Sequence, residues 1–210
     1  MSTGLLITIE GIDGSGKTTL IQNIAKQLEL QKIPLIVTKE PGGTQLGLQL
    51  RTILQNQPIP VCSKAEYLLF AADRAQHFEQ TIIPALAQGT MVISDRMGDS
   101  SIVYQGYGRG LDIPLIKMIN RWAMHNIKPD ITFYVRINPQ ESEQRVKLRN
   151  TPLTAFEKEK ITFTQKLVDG FDHLFKNEQH VILLNGTDSA ESLTSQAVKH
   201  IILCMNKPRT

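Results

Sequence analysis

A short glycine-rich segment after the first apolar run constrains this chain more than any other feature. Residues 11–18 read GIDGSGKT, a full match to the pattern GxxxxGK followed by Ser or Thr. The segment follows the β-branched run Leu5–Ile9 and precedes a stretch, from about Lys17, with apolar residues at helical spacing. Glycines let the backbone curl until its N–H groups point inward, and the helix adds its positive end. The pattern therefore predicts a strand, loop and helix that together bind an anion.

Further apolar runs rich in β-branched residues predict the rest of a sheet. They lie at about Leu35–Thr38, Met91–Ser94, Ile131–Ile137 and Val181–Leu184. Strands that are apolar on both faces and alternate with helices form parallel sheets covered on each side. We expect an α/β fold of the P-loop NTPase type, a five-stranded parallel sheet with helices on both faces. The length of 210 residues indicates a single domain over 1–210.

Local signals also predict where some helices begin and bend. Ser63 followed by Glu66 has the form of a capping box that opens a long helix, and Pro84 predicts a kink in it. Asn138, directly before a proline, predicts a second helix start. Trp122, in an apolar helical stretch, is expected in the core.

Composition and charge exclude several classes of protein. A hydrophobic fraction of 41% and a charged fraction of 20% are ordinary for a globular chain. The net charge of +3 is small and the Lys and Arg residues are scattered, so no nucleic-acid surface is expected. The run Leu5–Ile9 is too short for a membrane span or signal-peptide core. We therefore expect no membrane partner and a cytoplasmic location.

A nucleotide is the anion that this kind of loop is typical of. Its phosphates would contact the loop residues Gly11, Ile12, Asp13, Gly14, Ser15, Gly16, Lys17 and Thr18. Lys17 would reach the outer phosphates, and the Thr18 hydroxyl would hold a magnesium ion. Asp95 and Arg96 follow the third predicted strand, at the sheet edge where ligands bind in such folds. Asp95 is predicted to orient the metal through water, and Arg96 to neutralise a phosphate, although such a pair is equally typical of a surface ion pair.

The order of several short blocks in the N-terminal half resembles the thymidylate kinase family. The blocks are the glycine-rich loop, the segments KEPGGT from Lys39 and FAADRAQH from Phe70, Asp95-Arg96, and Ser100-Ser101 followed by the segment YQG from Tyr104. The C-terminal half is similar in general layout only. The resemblance implies ATP-dependent phosphorylation of dTMP to dTDP, with ATP as donor, Mg²⁺ as metal and a homodimer formed through helices away from the active site.

The same resemblance implies contacts to the acceptor nucleotide. Phe70 would stack on the thymine base and Arg74 would bind its edge, since residues four apart on a helix share one face. Arg51 and Arg96 would hold the acceptor phosphate, for which a planar guanidinium is suited. Further family positions near the base, sugar and metal are Asp13, Glu40, Ser101, Tyr104 and Gln105, with Tyr104 crowding a 2′-hydroxyl.

The transfer itself needs positive charge and alignment rather than a nucleophilic side chain. A phosphate monoester has a second pKa of about 6 and is largely dianionic at neutral pH, so it can attack without a general base. The resemblance implies that Lys17, Arg96 and a further arginine surround the transferred group.

The family supplies that further arginine either from the glycine-rich loop or from a lid. Position 14 is glycine, so the resemblance implies a mobile lid, here at about residues 139–160, with Arg145 and Arg149 as candidates on its first helix. Many relatives carry an Asp-Arg pair where this chain has Thr154-Ala155. The residues leave open which arginine acts.

Three alternatives remain open at this point. A deoxynucleoside kinase would need a carboxylate base and no arginines for an acceptor phosphate. Another nucleoside monophosphate kinase would differ mainly in the base pocket. A non-catalytic nucleotide-binding protein would bind ATP without acceptor-dependent release of ADP.

Overall fold

The predicted strands form one parallel sheet in a computed structural model that describes residues 4–56, 61–149 and 152–206. The strands are β1 (Leu6–Glu10), β2 (Leu35–Lys39), β3 (Met91–Asp95), β4 (Ile131–Arg136) and β5 (Val181–Asn185). Their order is β2-β3-β1-β4-β5, and every neighbouring pair is parallel. The predicted fold class is therefore confirmed, and each strand bound lies within one residue of its prediction.

Helices cover both faces of this sheet. Their bounds are α1 (Lys17–Leu30), α2 (Gln45–Asn56), α3 (Ser63–His77), α4 (Ile83–Ala87), α5 (Gly98–Ser101), α6 (Ile113–Ala123), α7 (Pro139–Leu148), α8 (Ile161–Leu174) and α9 (Ala190–Met205). On one face, α1 and α9 pack against strand residues that include Ile7, Ile9 and Phe133. On the other, Phe78 packs beside Leu6, and α8 contributes Phe171 to a second cluster. Alternate residues of β1 thus enter opposite cores, as expected for a strand buried on both sides.

The register of the central strands brings polar residues to one edge of the sheet. Ile9 of β1 lies beside Asp95 of β3, and Asp95 lies beside Lys39 of β2. Glu10, Glu40 and Arg96 follow directly, so the carboxyl ends of these strands gather charged side chains at the place where the glycine-rich loop leaves β1.

The capping box predicted at Ser63 is wrong. The N-cap is Cys62, which makes no side-chain capping hydrogen bond, and Ser63 is the first helical residue. The side chain of Glu66 faces inward and is buried. A short pattern of Ser and Glu does not distinguish a capping glutamate from one that is held by groups elsewhere in the fold.

The long helix after Ser63 is interrupted, but not by a simple kink at Pro84. A π-helical segment, Phe78–Ile82, precedes α4, in which Pro84 is the second residue. Proline has no N–H and its ring crowds the carbonyl four residues earlier. Widening the preceding turn relieves that conflict, and the break therefore lies ahead of the proline.

Trp122 is 76% exposed, so the prediction that it lies in the core is wrong. It shares the outer face of α6 with Leu115 and Met118, whereas Ile116, Asn120 and Ala123 point inward. The helix is apolar on two sides, and periodicity alone does not tell which side the fold covers. Within the described ranges, no helix is long and apolar enough to cross a membrane.

Candidate active site

A cavity of about 750 Å³ opens at the carboxyl edge of β1, β2 and β3. One half, here called the loop half, is formed by residues 13–18. The other, the arginine-lined half, contains Arg51, Arg74 and Arg96. Further predicted residues in the wall are Glu40, Phe70, Asp95, Ser101, Tyr104, Gln105, Arg145 and Arg149. The fold therefore brings together nearly all residues that the sequence singled out.

The glycine-rich loop has the conformation that its glycines predict. Gly14 and Gly16 have φ values of +76° and +99°, in the left-handed region that disfavours other residues. A Cβ atom at Gly14 would lie 2.8 Å from the carbonyl oxygen of Ser142, so this position also needs glycine for space. Ile12 is not part of the cavity wall; its side chain is buried in the core and its carbonyl accepts a hydrogen bond from Lys17 Nζ at 2.8 Å.

Burial and a neighbouring cation make Lys17 an unusual lysine. Loss of solvent, followed by the charge of Arg96, lowers the pKa of its ammonium group to about 8. An anion bound in the loop would add negative charge beside both cations, which favours the charged form of Lys17. The loop half therefore has the electrostatics of a site that gains stability when a polyanion enters.

Thr18 and Asp95 meet between the loop and β3. The Thr18 hydroxyl donates to Asp95 Oδ2 at 3.3 Å. No group of three or more His, Cys, Asp or Glu side chains in the described part of the chain forms a metal cage. One hydroxyl and one carboxylate fit Mg²⁺, which takes few protein ligands and completes its shell with phosphate oxygens and water.

Arg96 bridges the two halves of the cavity. Its Nη1 donates to the carbonyl oxygen of Gly11 at 2.8 Å, and its Nη2 donates to Asp13 Oδ1 at 2.5 Å. The guanidinium lies 5.1 Å from the centre of the Tyr104 ring. Burial favours the neutral acid at Asp13, but the charges of Arg96 and Lys17 outweigh it and lower the pKa of that carboxyl. The arginine is thus held by loop groups while one face remains over an aromatic ring.

Arg74 is fixed by a buried network. It donates to Glu40 Oε2 at 2.9 Å, to Asn120 Oδ1 at 2.8 Å and to Ser101 Oγ at 3.0 Å. His77 Nδ1 lies 3.1 Å from the other oxygen of Glu40. Both carboxylate oxygens of Glu40 are therefore used to hold α3, a role that sequence analysis did not give it. Asn120 was also missed, although it is the polar residue on the inward face of the otherwise apolar helix α6.

Gln105 connects the arginine-lined half to the segment after α7. Its Nε2 donates to Glu66 Oε1 at 3.0 Å, and Glu66 also accepts from Arg109 at 3.4 Å. Arg109 reaches Glu159 at 2.5 Å. A chain of buried and partly buried polar contacts therefore links α3 with residue 159.

The segment 152–160 covers the arginine-lined half from outside. The Phe156 ring lies 6.0 Å from that of Phe70 and 5.8 Å from that of Tyr104. The backbone N–H of Ala155 donates to the carbonyl oxygen of Gln55 at 2.9 Å. Three aromatic rings from separate elements thus form one wall of the cavity, and Phe156 was not foreseen from the sequence.

Arg145 and Arg149 have different surroundings. Arg145 donates to the carbonyl oxygens of Gly186 at 2.9 Å and Gly14 at 3.5 Å, so it ties α7 to two loops. Arg149 follows the last residue of α7 with an extended backbone, although the sequence predicted it within the helix. It donates to Glu157 Oε1 at 3.1 Å.

Thr154 accounts for part of the departure from the Asp-Arg pattern. Its backbone N–H donates to Glu157 Oε2 at 2.9 Å, and its hydroxyl accepts from the Glu157 N–H at 3.2 Å. An aspartate would accept the same backbone N–H. Thr154 therefore keeps Glu157 in place, and Glu157 in turn holds Arg149.

The sheet order, the glycine-rich loop on the central strand and the arginine-lined half beside it define a P-loop nucleotide-binding protein. Comparison with known proteins narrows this class. Residues 9–197 match the family model described as thymidylate kinase. A protein of Carboxydothermus hydrogenoformans named thymidylate kinase is 46% identical over 84% of this chain and 86% of its own length. One of Halothermothrix orenii with the same name is 38% identical over 97% of this chain and 99% of its own. The chain belongs to the thymidylate kinase family.

Proposed function

We propose that this protein transfers the γ-phosphoryl group of ATP to dTMP and so produces dTDP. The observation that carries the proposal is the shared cavity, in which Arg96 touches the carbonyl oxygen of Gly11 while lining the arginine-lined half. An acceptor phosphate bound by Arg96 would lie next to a triphosphate held in the loop half. Family membership supports dTMP as the acceptor and disfavours a deoxynucleoside kinase.

The residues of the chain would act by charge and alignment. Lys17 neutralises the outer phosphates of the donor, and Arg51 and Arg96 hold the phosphate of the acceptor. That phosphate is dianionic at neutral pH, so its oxygen needs no base to attack the γ-phosphorus. Thr18 and Asp95 would hold Mg²⁺, which would neutralise negative charge on the donor phosphates when bound.

The base and the lid complete this assignment. Phe70 lies in the wall beside Arg74, whose four hydrogen bonds fix the orientation of its guanidinium group. We assign thymine recognition to these two residues, with Ser101 and Gln105 near the base edge. Residues of about 139–160 act as a lid. Arg149 is better placed than Arg145 to contact the transferred phosphoryl group, because Arg145 is bound to two loop carbonyls.

A second copy of the chain is proposed as the partner. Leu68 of α3 and Leu115, Met118 and Trp122 of α6 are 56%, 48%, 61% and 76% exposed. The two helices pack together, since Tyr67 donates to the carbonyl oxygen of Ile116 at 3.0 Å. Their outer side faces away from Asn120 and the cavity. Contiguous large apolar side chains of this kind mark an interface, and a homodimer would cover them. We place the protein in the cytoplasm, because the substrates and products of the proposed reaction are all nucleotides.

The proposal is tested by ADP release with ATP and Mg²⁺ across dTMP, dUMP, UMP, dCMP, thymidine and no acceptor. We expect dTMP to give the highest specificity constant. A preference for thymidine over dTMP would overturn the roles of Arg51 and Arg96. ATP binding without acceptor-dependent ADP release would instead indicate a non-catalytic nucleotide-binding protein.

A further inference from the structure

Glu10, the last residue of β1, is a buried carboxylate outside the glycine-rich pattern. Its side chain is fully enclosed, and its two oxygens have different partners. Oε1 accepts from the backbone N–H of Met97 at 2.8 Å, and Oε2 accepts from the Ser100 hydroxyl at 2.6 Å. Removing a carboxylate from water is costly, and burial raises the pKa of Glu10 to about 8, although the charge of Arg96 and the bonds from Ser100 and Met97 favour its ionised form. Packing alone therefore does not explain why an acidic side chain is buried at position 10.

Both partners of Glu10 act on Arg96. Met97 N–H belongs to the peptide that follows Arg96, so its bond to Glu10 fixes the orientation of that peptide. Arg96 has a φ of +69°, in the left-handed region that disfavours residues with a side chain. Two further bonds hold the same backbone, from Ser94 Oγ to the Arg96 carbonyl oxygen at 2.7 Å and from Arg96 N–H to the Ile9 carbonyl oxygen at 3.1 Å.

The second partner touches the guanidinium itself. Arg96 Nη1 donates to Ser100 Oγ at 3.1 Å. A serine hydroxyl has one hydrogen, and when Glu10 is ionised it is directed to that carboxylate. The lone pairs of Ser100 are then turned toward Arg96. Glu10 therefore sets which way the hydroxyl points and, through it, adds to the contacts from Gly11 and Asp13 that hold the guanidinium.

We propose that Glu10 is a positioning residue, which holds Arg96 in place to receive the phosphate of the acceptor nucleotide. It acts through Ser100 and the Arg96–Met97 peptide and does not itself touch the substrate. The inference rests on the proposed function, because that function supplies the acceptor phosphate that Arg96 would bind.

Replacement of Glu10 by glutamine tests this at nearly constant volume. The amide NH₂ would donate to Ser100 and so reverse the hydroxyl toward Arg96. We expect Glu10→Gln to weaken dTMP binding, measured by calorimetry at a pH above the Glu10 pKa of about 8, by about tenfold, the size expected when one hydrogen bond to a charged group is weakened. Thymidine lacks the phosphate, and ATP lies in the loop half. Binding of both should change by less than about twofold, within the scatter expected of uncoupled sites.

A double-mutant cycle with Arg96→Ala separates positioning from general damage. If Glu10 acts through Arg96, Glu10→Gln should change dTMP affinity by less than about twofold once the arginine is absent. Equal losses with and without Arg96, or an equal loss for thymidine, would overturn the proposal. Thr8→Val is the matched control. Thr8 lies on β1, like Glu10, and the change breaks its buried hydrogen bond of 2.9 Å with Thr132 of β4. It should lower the melting temperature without changing dTMP affinity.

Ser100→Ala keeps the test decisive if Glu10→Gln does not fold. This change leaves the bond from Met97 to Glu10 and removes both bonds of the Ser100 hydroxyl, the one to Glu10 and the one from the guanidinium. The same dependence on Arg96 is expected, and independence from Arg96 would contradict the proposal. Failure of the wild-type protein to bind dTMP would overturn the proposed function instead, so the two outcomes are distinguishable.

Discussion

Asp73 is a buried carboxylate with an incomplete set of partners. Its Oδ1 accepts from the Gly42 N–H at 3.1 Å, while Oδ2 has no hydrogen-bond partner among the described residues. Burial, together with the nearby charge of Glu40, raises the pKa of Asp73 from 3.8 to about 6. The native state therefore disfavours the charged form of this group.

The sign of the pH dependence follows from that shift. A carboxyl whose pKa is raised on folding does not affect the free energy of unfolding at pH values below its unfolded pKa. At pH values above its folded pKa, it lowers the free energy of unfolding by the full amount. Between about pH 4 and about pH 7, Asp73 should lower the free energy of unfolding by roughly 2–3 kcal/mol, at about 1.4 kcal/mol for each pKa unit. Asp73→Asn should lack this change, and urea unfolding at several pH values measures the difference between variant and wild type.

Other titrating groups cancel in that difference. Asp169→Asn serves as the control, because its exposed side chain is hydrogen-bonded to Gln165 on the surface of α8. We expect no pH-dependent difference for this second variant. A constant gap between Asp73→Asn and wild type across the range would show that Asp73 is charged in the native state at no cost.

At the scale of elements, the segment proposed as a lid connects the two halves of the cavity through a few side chains. Arg149 depends on Glu157, and Glu157 is held by both backbone and hydroxyl of Thr154. Phe156 lies between these contacts and the ring of Phe70. Opening of this segment would therefore move an arginine and an aromatic wall together.

Arg149→Ala tests the assignment of the transfer arginine. We expect turnover to fall by more than about tenfold with little change in dTMP binding, as when a supplied arginine is lost in other phosphoryl transfers. Steady-state kinetics with calorimetric binding separate the two effects. Lys147→Ala is the matched control, since Lys147 lies two residues earlier, in the last turn of α7, and pairs with Glu143 at the surface. Unchanged turnover in both Arg149→Ala and Arg145→Ala would remove the lid arginine from the mechanism.

The elements that the sequence predicted well are those whose signals are local. The glycine-rich loop and the strands each depend on a few consecutive residues and were placed within one residue. The π-helical segment was not predictable, because Pro84 indicates a conflict and not how the chain resolves it. Glu66 was misinterpreted for a related reason: its partners, Gln105 and Arg109, are distant in sequence.

The site shows the same division between local and distant information. Family motifs named Arg74 and Glu40 but not the contact between them, which depends on how α3 meets the end of β2. Asn120 carried a weak signal, a lone amide on an apolar helix. Phe156 carried none, since a partly exposed aromatic residue in a connecting segment has no pattern of its own.

At the scale of the whole molecule, the outer face of α3 and α6 is the proposed interface between two copies of the chain. If a second copy covers Trp122, a charge there would be buried without a partner. Trp122→Glu is therefore expected to shift the molar mass, measured by light scattering during gel filtration, from that of a dimer to that of a monomer. Leu203→Glu, at an exposed apolar position of α9, is the control and should leave the mass unchanged. A monomeric wild type, or a variant that remains dimeric, would contradict the proposed interface.

The left-handed backbone at Arg96 sets two selective pressures against each other. Glycine adopts a φ of +69° without strain, so Arg96→Gly would relieve the backbone strain and lose the side-chain bonds to Gly11, Ser100 and Asp13. A screen for heat resistance alone measures the balance of these two effects and does not detect the loss of the proposed contact to the acceptor phosphate. Directed evolution of a thermostable variant therefore has to score both survival on heating and product formation in the same round.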